Sequence, residues 1–171
     1  HEEDYHANFS SARIALISPQ ESFWRKGELI FPAEYCGWYH LLTQQHYLFD
    51  CIRMDTVEKV SLEKYDTIIL ADVQNISDAA AAKLDAFAEK GGTLIATGET
   101  ALWDESRRKR QHIGLRSIGV EKLGYIGRDY ISAYFDIGDS KPLFPRFAQT
   151  DWIYLHDVYC YAEYRSGVKQ Y

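Results

Sequence analysis

The stretch GGTLIATGETALWDE, residues 91–105, has the makings of a catalytic turn: a short apolar strand runs into a loop that carries Glu99, Thr100, Asp104 and Glu105. Acyl transfer from such a loop needs a cysteine or serine on a sharp strand-to-helix elbow flanked by glycines, with a histidine alongside. Gly98, Glu99 and Thr100 stand at the elbow and the next serine is Ser106, so the loop offers no nucleophile. Glu99, Asp104 and Glu105 would serve glycoside hydrolysis only if two of them straddled a sugar bond about 5–10 Å apart. Loop carboxylates are usually solvated or capping groups. The run RRKR, 107–110, directly follows the acidic pair and fits local charge neutralisation in an exposed turn.

Thiols and imidazoles raise a second chemistry. Cys36 and His40 lie four residues apart, on one helix face, with Cys36 near a helix start that would favour a thiolate. A packed thiol beside a histidine is the plainer reading. Adding His46 and Cys51 makes a metal constellation whose spacing matches no compact zinc pattern, so no metal is expected. In HDVYC, His156, Val158 and Cys160 share one face of a strand, which suits packing.

The elements that must position these residues begin with ARIALIS, 12–18, a buried strand ended by Pro19. A helix with an aromatic face follows, with Pro32 in its first turn and Tyr35, Trp38, Tyr39 and Leu42 at helical spacing. LFDCIRMD and YDTIILADV are the second and third strands, the latter apolar enough to be covered on both faces. Ser77 can cap a helix over 78–90 whose buried stripe would be Ala80, Leu84, Phe87 and Ala88, and Gly91 can close it in the left-handed conformation. Thr93–Ala96 is the fourth strand. Strand and helix thus alternate from 12 to 97, which predicts a doubly wound, flavodoxin-like α/β fold: a parallel sheet with helices on both faces. After Gly98 the rhythm changes, and DYISAYFDI and DWIYLHDVYCYAEY predict extra strands toward the C-terminus.

The chain has 171 residues, 46% of them hydrophobic and 26% charged, which suits one folded domain over 12–171, with the polar segment 1–11 as a linker or inter-domain segment. A net charge of −6 repels polyanions, so no nucleic-acid partner is expected. No apolar run approaches the roughly 18 residues that span a bilayer, so no membrane partner is expected either. Three cysteines are too few for a disulfide framework, and reduced thiols in a cytoplasmic setting are the default. The first residue is His1, which fits a processed or excised piece of a longer chain.

Ligands of open parallel sheets bind beyond the carboxyl ends of the strands. A phosphate loop there needs glycine, and SPQESFW has none; a magnesium-dependent phosphoacceptor built on Asp72 needs acidic partners where Pro19 and Gln20 stand. No cofactor is expected. Gln20, Gln74 and Glu99 remain as hydrogen-bonding candidates for a sugar in that crevice. Aromatic residues are abundant, with four Trp, 13 Tyr and eight Phe, more than a small aliphatic core calls for. Trp24, Trp38, Trp103 and Trp152 are therefore candidates for an inter-domain or inter-subunit surface, with sugar stacking as the rival use.

The run YDTIILADVQNISDAAAAKLDAFAEKGGTLIATGETALWDE, followed by IGLRSIGV, resembles the amidotransferase-like trimerisation domain that follows the catalytic barrel of family 42 β-galactosidases and related glycoside hydrolases, over roughly residues 12–125. The resemblance implies a class I glutamine amidotransferase architecture without its nucleophile, in a homo-oligomer, beside a (β/α)₈ barrel of the same chain that holds two catalytic glutamates. No catalytic residue is carried over to this chain. Three readings follow: a non-catalytic accessory and oligomerisation domain of a glycoside hydrolase; a stand-alone amidotransferase-superfamily enzyme using Cys36 or Glu99; and a sugar-binding module using the strand-end crevice.

Overall fold

The computed structural model describes residues 9–19, 24–25, 28–29, 32–127, 132–156 and 159–169. The chain divides into two compact units, His1–Ile118 and Gly119–Tyr171.

The first unit is built on a four-stranded parallel sheet of β1 (Ile14–Ser18), β4 (Phe49–Arg53), β5 (Thr67–Leu70) and β6 (Thr93–Ala96), in the spatial order β4-β1-β5-β6. β2 (Trp24–Arg25) and β3 (Glu28–Leu29) form a separate short antiparallel pair. In register, Leu16 lies opposite Cys51 on one side and Ile69 on the other, and Ile69 lies opposite Ile95. The chain first steps outward from β1 to β4, then returns across β1 to β5 and continues to β6. Right-handed crossovers in opposite directions place the connecting helices on opposite faces, and the reversal makes a switch point between β1 and β5. The doubly wound, flavodoxin-like pattern expected from the sequence is therefore present, with antiparallel strands added toward the C-terminus.

Helix α1 (Ala33–Gln44) buries Tyr35 and Leu42 against Leu16, Ile69 and Ala71, with Trp38, Ile14, Phe49 and Ile95 at the margin. Pro32 stands just outside the helix as its N-cap, and its carbonyl accepts the Cys36 amide at 3.0 Å. Helix α2 (Asp78–Glu89) starts as its sequence dictates: the Ser77 hydroxyl accepts the Ala80 amide at 3.1 Å, an orphan donor that would otherwise face water. It ends at Gly91, whose φ of 96° suits the left-handed cap. Its buried face is turned from the expected stripe. Ala80, Ala81, Leu84 and Asp85 are buried, while Phe87 and Ala88 are half-buried, because Asp85 has backbone partners that justify an inward carboxylate.

The second unit consists of two antiparallel ribbons: β7 (Val120–Gly127) with β10 (Tyr159–Tyr164), and β8 (Ser132–Asp136) with β9 (Trp152–His156). Short 3₁₀ turns over Gly138–Leu143 and Pro145–Phe147 join β8 to β9.

Candidate functional site at the carboxyl ends of the strands

The crevice that a doubly wound sheet offers to ligands opens beyond Ser18, Leu70 and Ala96, and past β5 and β6 the described polar groups bond to one another. Thr97 Oγ1 donates to Glu34 Oε2 at 2.7 Å, joining the end of β6 to the first turn of α1. Asp72, two residues past β5, adopts a φ of 50°. Its Oδ1 accepts the Glu99 amide at 2.8 Å and its Oδ2 accepts Gln74 Nε2 at 3.1 Å. The Thr100 hydroxyl accepts the Val73 amide at 3.1 Å and lies 2.7 Å from the Thr97 carbonyl and 3.1 Å from that of Leu70. The chain then follows the continuation of β5, with the Ala101 amide on the Val73 carbonyl at 2.9 Å and the Trp103 amide on that of Gln74 at 3.0 Å.

Gly98 occupies the elbow. Its φ of 59° is the left-handed conformation a nucleophile at such a turn would have to adopt. A Cβ at this position would lie 2.5 Å from Asp72 Oδ1 and 2.9 Å from its Cγ, closer than atoms can approach. The elbow is therefore closed as well as empty: the volume a nucleophilic side chain would need is taken by a carboxylate. Burial raises the Asp72 carboxyl above its ordinary value; the bonds from Glu99 N and Gln74 oppose this, and the neighbouring Glu99 and Glu34 carboxylates push it further up.

The sequence-derived candidates scatter around this lock. Gln74 and Glu99 come together on Asp72, Gln74 by its side chain and Glu99 by its amide, and the Glu99 residue is 8% exposed. Gln20 and the Trp24 side chain lie outside the described residues, as do the side chains of His156 and Cys160 and all of Val158. Trp38 is half-buried at the margin of the core under α1. Trp103 is half-buried, its backbone bridged to Asn75 and Lys109. Trp152, on β9 in the second unit, is 59% exposed.

Cys36 is half-buried, and its amide is already engaged in the helix, so no free donor faces its thiol from its own backbone. His40 is exposed and in edge contact with Tyr39, while His46 lies past the far end of α1, away from the crevice. The exposed Cys51 meets the Tyr35 phenol, which burial first and this contact second hold above its ordinary range. Among the described residues, no group of three or more His, Cys, Asp or Glu side chains could hold a metal ion.

The acidic loop is structural. Asp104 accepts the amides of Ser106 at 2.8 Å and Arg108 at 2.9 Å, and pairs with Arg108 Nε at 2.8 Å. The Arg108 amide leads in holding the Asp104 carboxyl below its usual range, against some desolvation. Arg108 is thus engaged within the loop as expected, whereas Arg110 reaches away from it, to Asp78 at 2.6 Å and the Ile76 carbonyl at 2.9 Å at the start of α2. At the opposite end of the sheet, Leu62, Phe87, Lys83, Lys90 and Gly91–Thr93 border a separate cleft of about 660 Å³. Lys83 is tied there to the carbonyls of Glu58 at 2.9 Å and Val60 at 2.6 Å. Asp72 stands in the sequence as a strand-end carboxylate, but its closing of the elbow, the inward placement of Asp85 and the steric block at Gly98 were not legible, because each depends on a positive φ or on a contact between distant segments.

Comparison with solved structures finds the same fold inside larger glycosidases. A beta-galactosidase from Rahnella sp. R3 matches with a TM-score of 0.67 at 16% identity, covering 90% of this chain and 23% of that one. A beta-galactosidase from the Antarctic haloarchaeon Halorubrum lacusprofundi matches with a TM-score of 0.64 at 11% identity, covering 95% of this chain and 24% of that one. An alpha-L-fucosidase isoenzyme from Paenibacillus thiaminolyticus matches with a TM-score of 0.58 at 17% identity, over 95% and 22%. The chain thus spans less than a quarter of the length of each. No curated protein matches significantly. The model of the family described as the beta-galactosidase trimerisation domain matches residues 13–114, the whole of the parallel sheet with both helices and the closed elbow, and by that match the chain belongs to the beta-galactosidase trimerisation domain family.

Proposed function

We propose that this chain is the accessory and oligomerisation part of a longer glycoside hydrolase, and that sugar chemistry belongs to a (β/α)₈ barrel elsewhere in the same polypeptide. The family match over 13–114 carries this reading. The closed elbow supports it, because the turn at which the amidotransferase-like architecture would carry a nucleophile is occupied by Asp72. The segment 1–11 serves as the connection to the neighbouring domain, and β-galactosides are the substrate class of the whole enzyme. The exposed Trp152 belongs to a surface that another domain or subunit covers.

Light scattering and turnover of chromogenic β-galactosides test both halves together. The full-length polypeptide is expected to be an active oligomer, and the 171-residue chain to be inert on the same substrates. Turnover by the isolated chain, lost on Cys36→Ala or Glu99→Gln, would reverse the assignment in favour of a stand-alone enzyme.

A further inference from the structure

At the amino ends of β5 and β6, within the first unit, the cleft of about 660 Å³ lies between the end of α2 and the segment 61–67. Lys83 Nζ donates to the carbonyls of Glu58 at 2.9 Å and Val60 at 2.6 Å, which ties the turn before that segment to α2. The Thr93 amide donates to the Asp66 carbonyl at 2.8 Å and ties one wall to the other. The cleft is therefore preformed. Its floor is apolar: Leu62 and Tyr65 are 4% and 7% exposed, and Phe87 is half-buried with its ring over Gly92, where a Cβ would lie 2.3 Å from ring carbons. Only glycine leaves the ring in that place. Around the floor, several polar groups are already spent: Lys83 on the two carbonyls, Asp66 on Arg13 at 2.6 and 2.9 Å, and the Tyr65 hydroxyl on Asp50 at 2.7 Å. Among the described residues, the side chains of Glu63, Lys90, Thr67 and Thr93 have no such partner. One carboxylate, one ammonium and two hydroxyls thus stand open around an apolar floor.

We propose that this cleft binds a neutral sugar, a mono- or disaccharide. Its size is that of small-molecule sites, which run from about 300 to 1,000 Å³ and combine apolar walls with a few convergent polar groups. Charge selects a neutral occupant. The open Glu63 carboxylate and Lys90 ammonium oppose each other, the carbonyl end of α2 disfavours an anion, and the second ammonium of Lys83 disfavours a cation. Chemistry narrows the class further. A pyranose has an apolar C–H face to set against Leu62 and Phe87, and hydroxyls that each donate and accept, so one ligand can donate to Glu63 and accept from Lys90 and the threonines. A hydrocarbon ligand would strip water from these groups and answer none of them. The inference stands on the cleft alone; it goes beyond the accessory reading and does not depend on it.

Hydrogen exchange read by mass spectrometry on the full-length polypeptide tests it, with D-galactose, D-glucose and cellobiose titrated as probes. At least one of them is expected to slow exchange in segments 61–67 and 86–93. The double variant Glu63→Ala/Lys90→Ala should raise the half-saturating concentration at least about tenfold, while turnover of chromogenic β-galactosides stays that of wild type. Both residues are exposed, so the variant should fold. Thr93→Val removes a single hydroxyl and reads the same contact by a smaller shift should thermal melts show the double variant to be destabilised. Three results overturn the inference: no probe protects the two segments, protection is unchanged in both variants, or D-galacturonate protects at lower concentration than any neutral sugar. None of them bears on the oligomeric state or on turnover, by which the accessory reading stands or falls.

Discussion

Two aspartates show how single carboxylates shape this molecule. Asp72 fills the elbow, and the contact predicts a specific coupling. Gly98→Ala places a methyl against Asp72 Oδ1 and imposes a positive φ on a residue with a Cβ, a combined cost of about 2–3 kcal/mol. In an Asp72→Ala background the collision is gone and only the backbone cost of about 1 kcal/mol is left. A double-mutant cycle by urea denaturation measures the difference, and an unchanged Gly98→Ala penalty would show that Asp72 does not close the elbow. Asp50 acts by charge. Burial alone would raise its carboxyl, but hydrogen bonds from Lys64, Ser10 and Tyr65 and the Lys64 charge outweigh it and hold the group at about 2, below the ordinary 3.8. A carboxyl depressed by folding stabilises the native state fully above its unfolded pKa and loses that contribution as pH falls through the folded value. Stability should therefore fall by about 1–2 kcal/mol between roughly pH 4 and pH 2 on this account. Asp50→Asn should remove that part of the acid limb; denaturation curves at several pH values that keep the same slope in the variant would assign the acid sensitivity elsewhere.

At the level of elements, α2 carries two features of different visibility. Ser77 announces the start of the helix by residue type alone, and its hydroxyl also reaches Glu58 Oε1 at 2.5 Å. Asp85 looks like a solvent-facing position in a helix of mixed polarity, yet the residue is 4% exposed and accepts the amides of Arg116 at 3.2 Å and Ser117 at 2.9 Å and the Ser117 hydroxyl at 2.6 Å. It fastens the segment after Leu115 to the helix. Asp85→Ala should cost about 2–3 kcal/mol, because it strands donors that the carboxylate satisfies, whereas Ser77→Ala should cost about 1 kcal/mol. Chemical denaturation that found the two costs reversed would contradict this ranking. The same contrast governs what could be read in advance. Continuous apolar runs such as Thr67–Leu70 and cap signals such as Ser77 and Gly91 are local, so the strands and helices of the parallel sheet were visible within about three residues at each end. β7 was not: VEKLGYIG contains adjacent charges and two glycines, and its partner β10 begins more than thirty residues later, so nothing nearby marks it as a strand. Of the crevice, Gln74 and Glu99 could be named from sequence, but their convergence on Asp72 could not, because it depends on the backbone turn at residue 72.

For the molecule as a whole, the division after Ile118 separates two kinds of stability. The first unit buries Leu16, Ile17, Ile68, Ile69, Leu70 and Leu84 almost completely, and its strands pair on both sides at β1 and β5. The second unit is made of two-stranded ribbons, which are marginal in water unless something covers them. The exposures of its aromatic residues fit that condition: Tyr134 is 64%, Tyr154 53% and Trp152 59% exposed, with Tyr134 and Tyr154 paired across β8 and β9 at 5.4 Å. Local opening follows how much apolar contact must be broken. In the isolated chain, amides of β8, β9 and β10 should therefore exchange at least about tenfold faster than those of β1 and β5, a gap of roughly 1.4 kcal/mol. In the full-length polypeptide the ribbons should gain protection while the parallel sheet changes little, since the ribbons alone lack cover. Hydrogen exchange read by mass spectrometry distinguishes the cases. Equal protection of ribbons and sheet in the isolated chain would mean that the second unit is stable by itself, and its exposed aromatic residues would then need an explanation other than a missing neighbour.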